Sequence, residues 1–103
     1  MSVLLEFAMF PTDKGISVSK YVSKIVAMIR ESGYPYQLTP MGTIVETGTV
    51  EEVLEVIRQS HNILEPDSDR IYSTIKLDIK KNASGMMNQK MKSVESKIGS
   101  VNR

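Results

Sequence analysis

The chain has 103 residues, of which 41% are hydrophobic and 24% are charged, which is typical of one globular domain and argues against a disordered or membrane-embedded chain. Thirteen basic and twelve acidic side chains nearly cancel, which argues against nucleic-acid binding, and no apolar run approaches the roughly 20 residues that cross a bilayer. The absence of cysteine excludes disulfides, thiolate metal sites and cysteine nucleophiles, and we expect a cytoplasmic location.

The first ten residues predict a strand. Ser2 to Phe10 is dense in Val, Leu and Phe, and it stops at Pro11. Both of its faces are mainly apolar, which indicates a strand that is covered on both sides. The stretch has no basic leader and no small-residue cleavage site, so we do not expect a signal peptide.

A first helix is expected after a loop at Asp13 to Gly15. Its apolar residues recur at spacings of three and four, as one buried helix face requires. Ser17 is the expected N-cap, and Gly33 is the expected C-cap. The free amides at this helix start, together with Ser17 and Ser19, could also bind an anion, although an ordinary N-cap has the same residues.

The segment from Tyr36 to Glu46 predicts two strands joined by a tight turn. Thr39-Pro40-Met41-Gly42 has Pro at its second position and Gly at its fourth, which suits a type I turn. Thr39, Thr43 and Glu46 place polar groups close to this turn, although Glu is depleted in strands. Such a hairpin faces either water or a ligand.

The second half of the chain predicts a helix, a strand and a terminal helix. Thr49-Val-Glu-Glu52 is a capping box, and the helix that it begins is expected to place one apolar side inward: Val50, Val53, Leu54, Ile57 and Leu64. Arg70 to Lys80 alternates between apolar odd and polar even positions, which predicts a strand with one core face. After a break at Asn82 to Gly85, the last helix has an apolar stripe: Met87, Met91, Val94 and Ile98.

The element order is strand, helix, strand, strand, helix, strand, followed by a helical tail. With right-handed crossovers, this order predicts a ferredoxin-like α+β fold, βαββαβ, with a four-stranded antiparallel sheet and two helices on one face. We expect this domain at residues 1–82 and an amphipathic helical tail at residues 83–103. The first and last strands are expected to be central neighbours in the sheet.

The face of the sheet without helices is expected to be largely apolar. It would contain the even-numbered residues of the first and last strands, with Glu6 and Lys76 among them. The opposite assignment of the first strand would bury Glu6 under the helices. An open apolar face on a chain of this size favours cover by another subunit, so we expect a homo-oligomer assembled through the sheet faces.

Three strand carboxylates have two interpretations each. Glu6, Glu46 and Asp78 could bind a cation or accept hydrogen bonds from an amine-bearing ring. Alternatively, Glu6 pairs with Lys76 across neighbouring strands, Asp78 is solvated at a strand end, and Glu46 points to water. His61 is the single histidine, with no predicted second ligand or nucleophile beside it, and the last strand lacks an RNA-recognition pattern, so we expect neither an enzyme nor an RNA-binding domain.

Three segments together resemble the small YkoF-like thiamine-binding family: Ser17 to Val22, Tyr36 to Thr43 with Glu46, and Arg70 to Asp78. The most specific part is Leu-Thr-Pro-Met-Gly-Thr, which ends at Thr43. The resemblance implies a ferredoxin-like domain, a dimer or tetramer, and non-catalytic binding of thiamine or its hydroxymethylpyrimidine part. It implies no cofactor. The alternative function is a structural or regulatory oligomeric module that binds another small molecule or a protein.

The match to the family motif also implies ligand contacts. Hydroxyl groups would come from four residues: Ser17, Ser19, Thr39 and Thr43. Met41 would form an apolar wall, and Glu46 would be the acceptor or the counter-charge. Glu6 is a further candidate, chosen for its charge. Thiamine joins an aminopyrimidine to a cationic thiazolium, and a carboxylate could serve either part.

Overall fold

A computed structural model describes residues 1–103 of the chain. The elements are β1 (Ser2–Pro11), α1 (Ser19–Ser32), β2 (Tyr36–Thr39), β3 (Gly42–Thr47), α2 (Val50–Leu64), a short 3-10 helix (Glu65–Asp67), β4 (Ile71–Lys80) and α3 (Met86–Ile98). The four strands form one antiparallel sheet in the order β2-β3-β1-β4. The prediction of a ferredoxin-like α+β fold with a C-terminal helix is therefore confirmed.

One part of the predicted strand arrangement is wrong. β1 pairs with β4 along its whole length, as expected, but β4 is an edge strand. The second central strand is β3, which pairs with both β1 and β2. The hairpin therefore extends from the opposite edge of the sheet to its centre.

The core lies between one face of the sheet and the helices α1 and α2; we call this the helix-side face, and the other the outer face. The odd-numbered residues of β1 are buried in this core, where they meet Ile25 and Ile29 of α1 and Val53 of α2. Glu6 lies on the outer face, as expected, because successive strand residues point to opposite faces.

The helix-side face of β4 is not covered. Ile75, Leu77 and Ile79 remain 43%, 40% and 49% exposed. The expectation that these residues pack into the core is wrong for the single chain, because β4 is at the edge and the helices lie over the other strands. The chain thus leaves a row of apolar side chains on its longest free edge.

The ends of α1 and α2 follow the sequence signals with one exception. The Thr49 hydroxyl accepts a hydrogen bond from the Glu52 amide at 3.1 Å, which confirms the predicted cap at the start of α2. Gly33 has a positive φ of 83° at the end of α1, as a C-cap glycine requires. Ser17 is not the N-cap of α1, since Val18 occupies that position without a side-chain hydrogen bond.

Within α2, Val53 and Leu64 are buried as predicted, and Val50 and Ile57 pack partly buried against the core. The prediction is wrong for Leu54, which is 53% exposed, and it omitted Val56 and Ser60, which are buried.

The helix α3 forms as predicted, but it buries none of its residues. Its N-terminus is held by Glu46, whose carboxylate accepts hydrogen bonds from the Met86 amide at 2.8 Å and the Met87 amide at 3.0 Å. Ser2 donates a third hydrogen bond to the same carboxylate at 2.7 Å. Gly85 at the N-cap position has no side chain, so Glu46 supplies the cap from β3.

No helix of the chain has both the length and the apolar character needed to cross a membrane.

The β2–β3 turn brings two backbones into close contact. Pro40 and Met41 both have negative φ, as the predicted type I turn requires. A Cβ atom at Gly42 would lie 2.9 Å from the carbonyl oxygen of Phe7 in β1. Glycine is needed here for the approach of β3 to β1 rather than for an unusual backbone angle.

We expect Gly42→Ala to lower the free energy of unfolding by about 1–3 kcal/mol, because the new methyl group must push β3 away from β1. Gly48→Ala is the matched control, since its Cβ would meet only the Glu52 carboxylate at an ordinary 3.5 Å. Urea unfolding of the two variants measures the difference. Equal stability of both variants would contradict the close approach at Gly42.

We expect Glu46→Gln to lower the free energy of unfolding by about 1–3 kcal/mol at neutral pH. The substitution removes the charge and one of the two buried carboxylate oxygens that accept hydrogen bonds from the backbone amides of α3. Burial raises the pKa of the Glu46 carboxyl, but hydrogen bonds from Met87, Ser2 and Met86 outweigh this effect and hold the pKa below its ordinary value. The stabilisation is therefore complete above the unfolded-state pKa of about 4.3 and is lost as the pH falls through the lower folded-state pKa.

Urea unfolding at neutral and acidic pH tests this expectation. The gap between the wild type and Glu46→Gln should close on acidification, and hydrogen exchange at the Met86 and Met87 amides should be faster in the variant. Glu31→Gln, at an exposed position on α1, is the control and should change stability by less than about 0.5 kcal/mol. A gap that persists unchanged at acidic pH would exclude the charged cap.

Candidate functional site

A cavity of about 320 Å³ opens where the end of β1, the start of α1 and the β2–β3 turn meet; we call it the hairpin cavity. Its size falls within the range of small-molecule sites. Nine of its thirteen lining residues are hydrophobic, and the side chains that build most of the wall are Phe7, Met9, Val18, Val22, Ile25 and Leu38. None of the lining residues is titratable.

The cavity results from where the elements begin and end. The helix-side residues of β1 continue to Pro11, but α1 begins only at Ser19, after a loop. The end of β1 is therefore covered incompletely by α1, and the hairpin closes the remaining side. Close approach at Gly42 brings the turn against Phe7 and Ala8.

Three of the residues predicted as ligand contacts line this cavity: Thr39, Met41 and Thr43. Their side chains differ in what they can offer. The Thr39 hydroxyl donates to the Gly42 carbonyl at 2.8 Å and accepts from the Met41 and Gly42 amides at 3.2 and 3.1 Å, so the turn itself uses it. Met41 is 88% exposed at the rim.

Thr43 is the exception among the polar groups of the cavity. It is only 4% exposed, and it faces the helix side opposite Phe7 of β1. Its hydroxyl takes no part in the side-chain hydrogen bonds of the chain, whereas those of Thr39, Thr47 and Thr49 all do. A hydroxyl can both donate and accept, so Thr43 is the polar group of this cavity that is free for a ligand.

The two predicted serines lie beside the cavity rather than in its wall. Ser17 and Ser19 are both exposed, and Val18 between them is the residue that lines the cavity. Ser19 borders a separate shallow depression on α1, with Val22 and Leu38.

The two predicted acids lie away from the cavity, on the outer face. Glu46 is 7% exposed, and its carboxylate is occupied by Ser2 and the start of α3. Glu46 also borders a polar depression on this side, together with Gln37 and Arg103. Glu6 forms an ion pair with Lys76 at 3.3 Å, as the cross-strand interpretation expected.

The third strand acid, Asp78, is not simply solvated at its strand end. Its carboxylate accepts a hydrogen bond from Lys90 of α3, and this contact holds the pKa of the Asp78 carboxyl below its usual value. Together with the Glu46 cap, it ties α3 to the sheet. Asp78 thus has a structural contact that the sequence pattern did not suggest.

The sequence reasoning missed the apolar wall of the site. Phe7 and Met9 look like core residues because they continue the buried alternation of β1, and Val18 and Val22 look like the inner face of α1. The signal that could have found them is the loop between Pro11 and Ser19, which separates the end of β1 from the start of α1.

The arrangement can bind a small, largely apolar group and orient it through one hydroxyl. No group of three histidine, cysteine, aspartate or glutamate side chains is placed to hold a metal ion. His61 is exposed near the end of α2, and it is not among the residues that line the cavity.

Comparison with known proteins relates the chain to a family. The family model described as thiamine-binding protein matches residues 5–95. A UPF0045 protein from Methanocaldococcus jannaschii is 32% identical over 92 residues, covering 89% of this chain and 91% of the relative. A UPF0045 protein from Methanothermobacter thermautotrophicus is 32% identical over 83 residues, covering 80% and 84%.

Solved structures agree with this relationship. The crystal structure of the hypothetical Methanocaldococcus jannaschii protein superimposes with a TM-score of 0.80 at 31% identity, over 90% of this chain and 95% of that one. A putative thiamine biosynthesis/salvage protein from Thermotoga maritima has the same fold, with a TM-score of 0.76 at 19% identity, over 90% and 99%. The chain belongs to the thiamine-binding protein family, as the motif ending at Thr43 indicated.

Proposed function

We propose that this protein binds thiamine without catalysis, and that the hairpin cavity holds the aminopyrimidine part of the ligand. The observation that carries the proposal is Thr43, a buried side chain with a free hydroxyl in an otherwise apolar wall. Family membership supports thiamine as the class of ligand. The name of the Thermotoga maritima protein, which shares the fold, agrees with that class.

The absence of charged side chains in the cavity wall favours the pyrimidine over the thiazolium. No titratable side chain lines the wall, so a buried thiazolium cation would have no counter-charge. The aminopyrimidine is neutral and planar, and its ring atoms and amino group can exchange hydrogen bonds with the Thr43 hydroxyl. The thiazolium would then remain at the rim, beside the exposed Met41.

Glu46 takes no part in this proposal as a direct ligand. Its carboxylate already accepts three hydrogen bonds, and it lies on the outer face. A direct ligand role for Glu46 or Glu6 stays a prediction from the motif and from charge. The same holds for Ser17 and Ser19, which would reach only a part of the ligand that extends beyond the cavity.

A second candidate function is an oligomeric module, and the uncovered apolar row on β4 favours it. Assembly through the outer face of the sheet stays a prediction; there the Phe10 and Tyr72 rings pack with centroids 6.0 Å apart. A cytoplasmic location likewise stays a prediction. Binding and assembly are compatible, because β4 contributes no residue to the hairpin cavity.

We expect calorimetry to show binding of thiamine and of hydroxymethylpyrimidine, with Thr43→Val about 3- to 10-fold weaker for both, because one hydrogen bond is lost in a buried site. Thr74→Val is the matched control, since Thr74 is exposed on β4, and it should leave the affinity unchanged. Unfolding curves of both variants establish that they are folded.

Two results would count against the proposal. The absence of heat with thiamine, hydroxymethylpyrimidine and thiamine phosphates would remove thiamine binding altogether. Normal affinity in Thr43→Val together with weak binding in Glu46→Gln, when both are folded, would move the ligand to the outer face beside Glu46.

A further inference from the structure

The loop between β1 and α1 is held at both ends and free in its middle. At its start, the Asp13 carboxylate accepts a hydrogen bond from the Asp69 amide at 2.8 Å. At its end, the Val18 carbonyl accepts hydrogen bonds from two amides of α1 at 3.0 Å. Residues 14–17, which we call the entrance loop, lie between these anchors and take part in no hydrogen bond. A segment with so few contacts opens and closes at a low cost in free energy.

Gly15 gives the entrance loop a hinge. Its φ of 88° lies in the left-handed region, which glycine adopts without strain. A Cβ atom at Gly15 would meet no other atom within 4 Å, so the loop stands clear of the rest of the chain. Closing loops turn about a few residues that absorb the change in backbone angles. The entrance loop therefore has both the space and the hinge that a movement between its anchors requires.

Ile16 of the entrance loop is a fully exposed aliphatic residue beside the hairpin cavity. Val18, two residues later, lines the cavity, so the Cα atoms of the two residues lie at most about 7 Å apart. Met41 and Leu38, which also line the cavity, are 88% and 56% exposed. Single exposed apolar side chains are ordinary on a protein surface, but these three lie close to one opening.

We propose that the entrance loop closes over the hairpin cavity when thiamine binds, and that Ile16 is a further ligand contact, which covers the thiazolium. The proposal rests on the proposed function, because it needs the thiazolium at the rim beside Met41. Closure turns Ile16 toward the mouth of the cavity and removes its side chain from water. A loop that closes over a bound ligand retains it, so closure slows the dissociation of thiamine.

The chemistry of the entrance loop suits this end of the ligand. The thiazolium is a flat, delocalised cation, so an aliphatic side chain can cover one ring face while the edge stays in contact with water. The loop brings no net charge to it, because Asp13 and Lys14 are adjacent and opposite in sign. Burial of apolar area at Ile16 and Met41 favours closure, and the ordering of the loop offsets a part of that gain. The pyrimidine lies deeper, beside Thr43, and does not depend on Ile16.

Limited proteolysis with trypsin tests the closure. Lys14 in the entrance loop and Lys81 in the turn before α3 are both exposed cleavage sites outside helices and strands. Because proteolysis follows the population of open conformations, we expect saturating thiamine to slow cleavage after Lys14 about fivefold or more. Cleavage after Lys81 is the internal control and should not change.

Calorimetry tests the contact made by Ile16. We expect Ile16→Ala to weaken thiamine binding about 5- to 20-fold, because less apolar area is buried on closure. Hydroxymethylpyrimidine, which lacks the thiazolium, should bind this variant as it binds the wild type, whereas Thr43→Val weakens both ligands. Leu54→Ala, at an exposed aliphatic residue of α2, is the matched control and should leave both affinities unchanged. Circular dichroism should show that all variants are folded.

Each contrary outcome overturns the proposal. Thiamine binding without protection at Lys14, or with equal protection at Lys81, would exclude the closure and leave the proposed function intact. Unchanged thiamine affinity in a folded Ile16→Ala variant would remove Ile16 from the ligand contacts. An equal loss for thiamine and hydroxymethylpyrimidine would contradict its place over the thiazolium. A wild type that binds no thiamine would instead remove the proposed function, and the closure with it.

Discussion

The structure depends most on the register of β1 within the sheet. Its odd-numbered side chains enter the core beneath α1 and α2, and its backbone pairs with β3 on one side and β4 on the other. A slip of one residue would exchange the two faces, exposing Leu5 and Phe7 and burying Glu6. The same register brings Phe7 to the hairpin cavity, places Glu6 beside Lys76, and determines which groups of β4 point to the free edge.

Local signals predicted the elements, and long-range contacts decided the rest. The capping box at Thr49, the glycine at Gly33 and the proline turn act within a few residues, so their effects could be read from the sequence. The capping of α3 by Glu46 could not, because the partners lie 40 residues apart and the N-cap residue itself is a glycine. The edge position of β4 follows from the strand order, which alternation along one strand does not contain.

The candidate site was predictable only in the part that the hairpin contributes. The motif indicated Thr39, Met41 and Thr43, and the structure brings these three to one cavity. The motif does not separate a threonine that closes a turn, Thr39, from one whose hydroxyl is free, Thr43, since that depends on backbone geometry. β1 thus lies between two different surfaces: an uncharged recess on the hairpin side, and an uncovered apolar row on the β4 side.

The central claim is that the hairpin cavity receives the pyrimidine of thiamine. A crystal structure of the protein grown with thiamine tests it most directly. We expect electron density for the pyrimidine between β1, α1 and the hairpin, within hydrogen-bonding distance of the Thr43 hydroxyl, with the thiazolium toward Met41. Density for the ligand on the outer face beside Glu46, with an empty hairpin cavity, would contradict it.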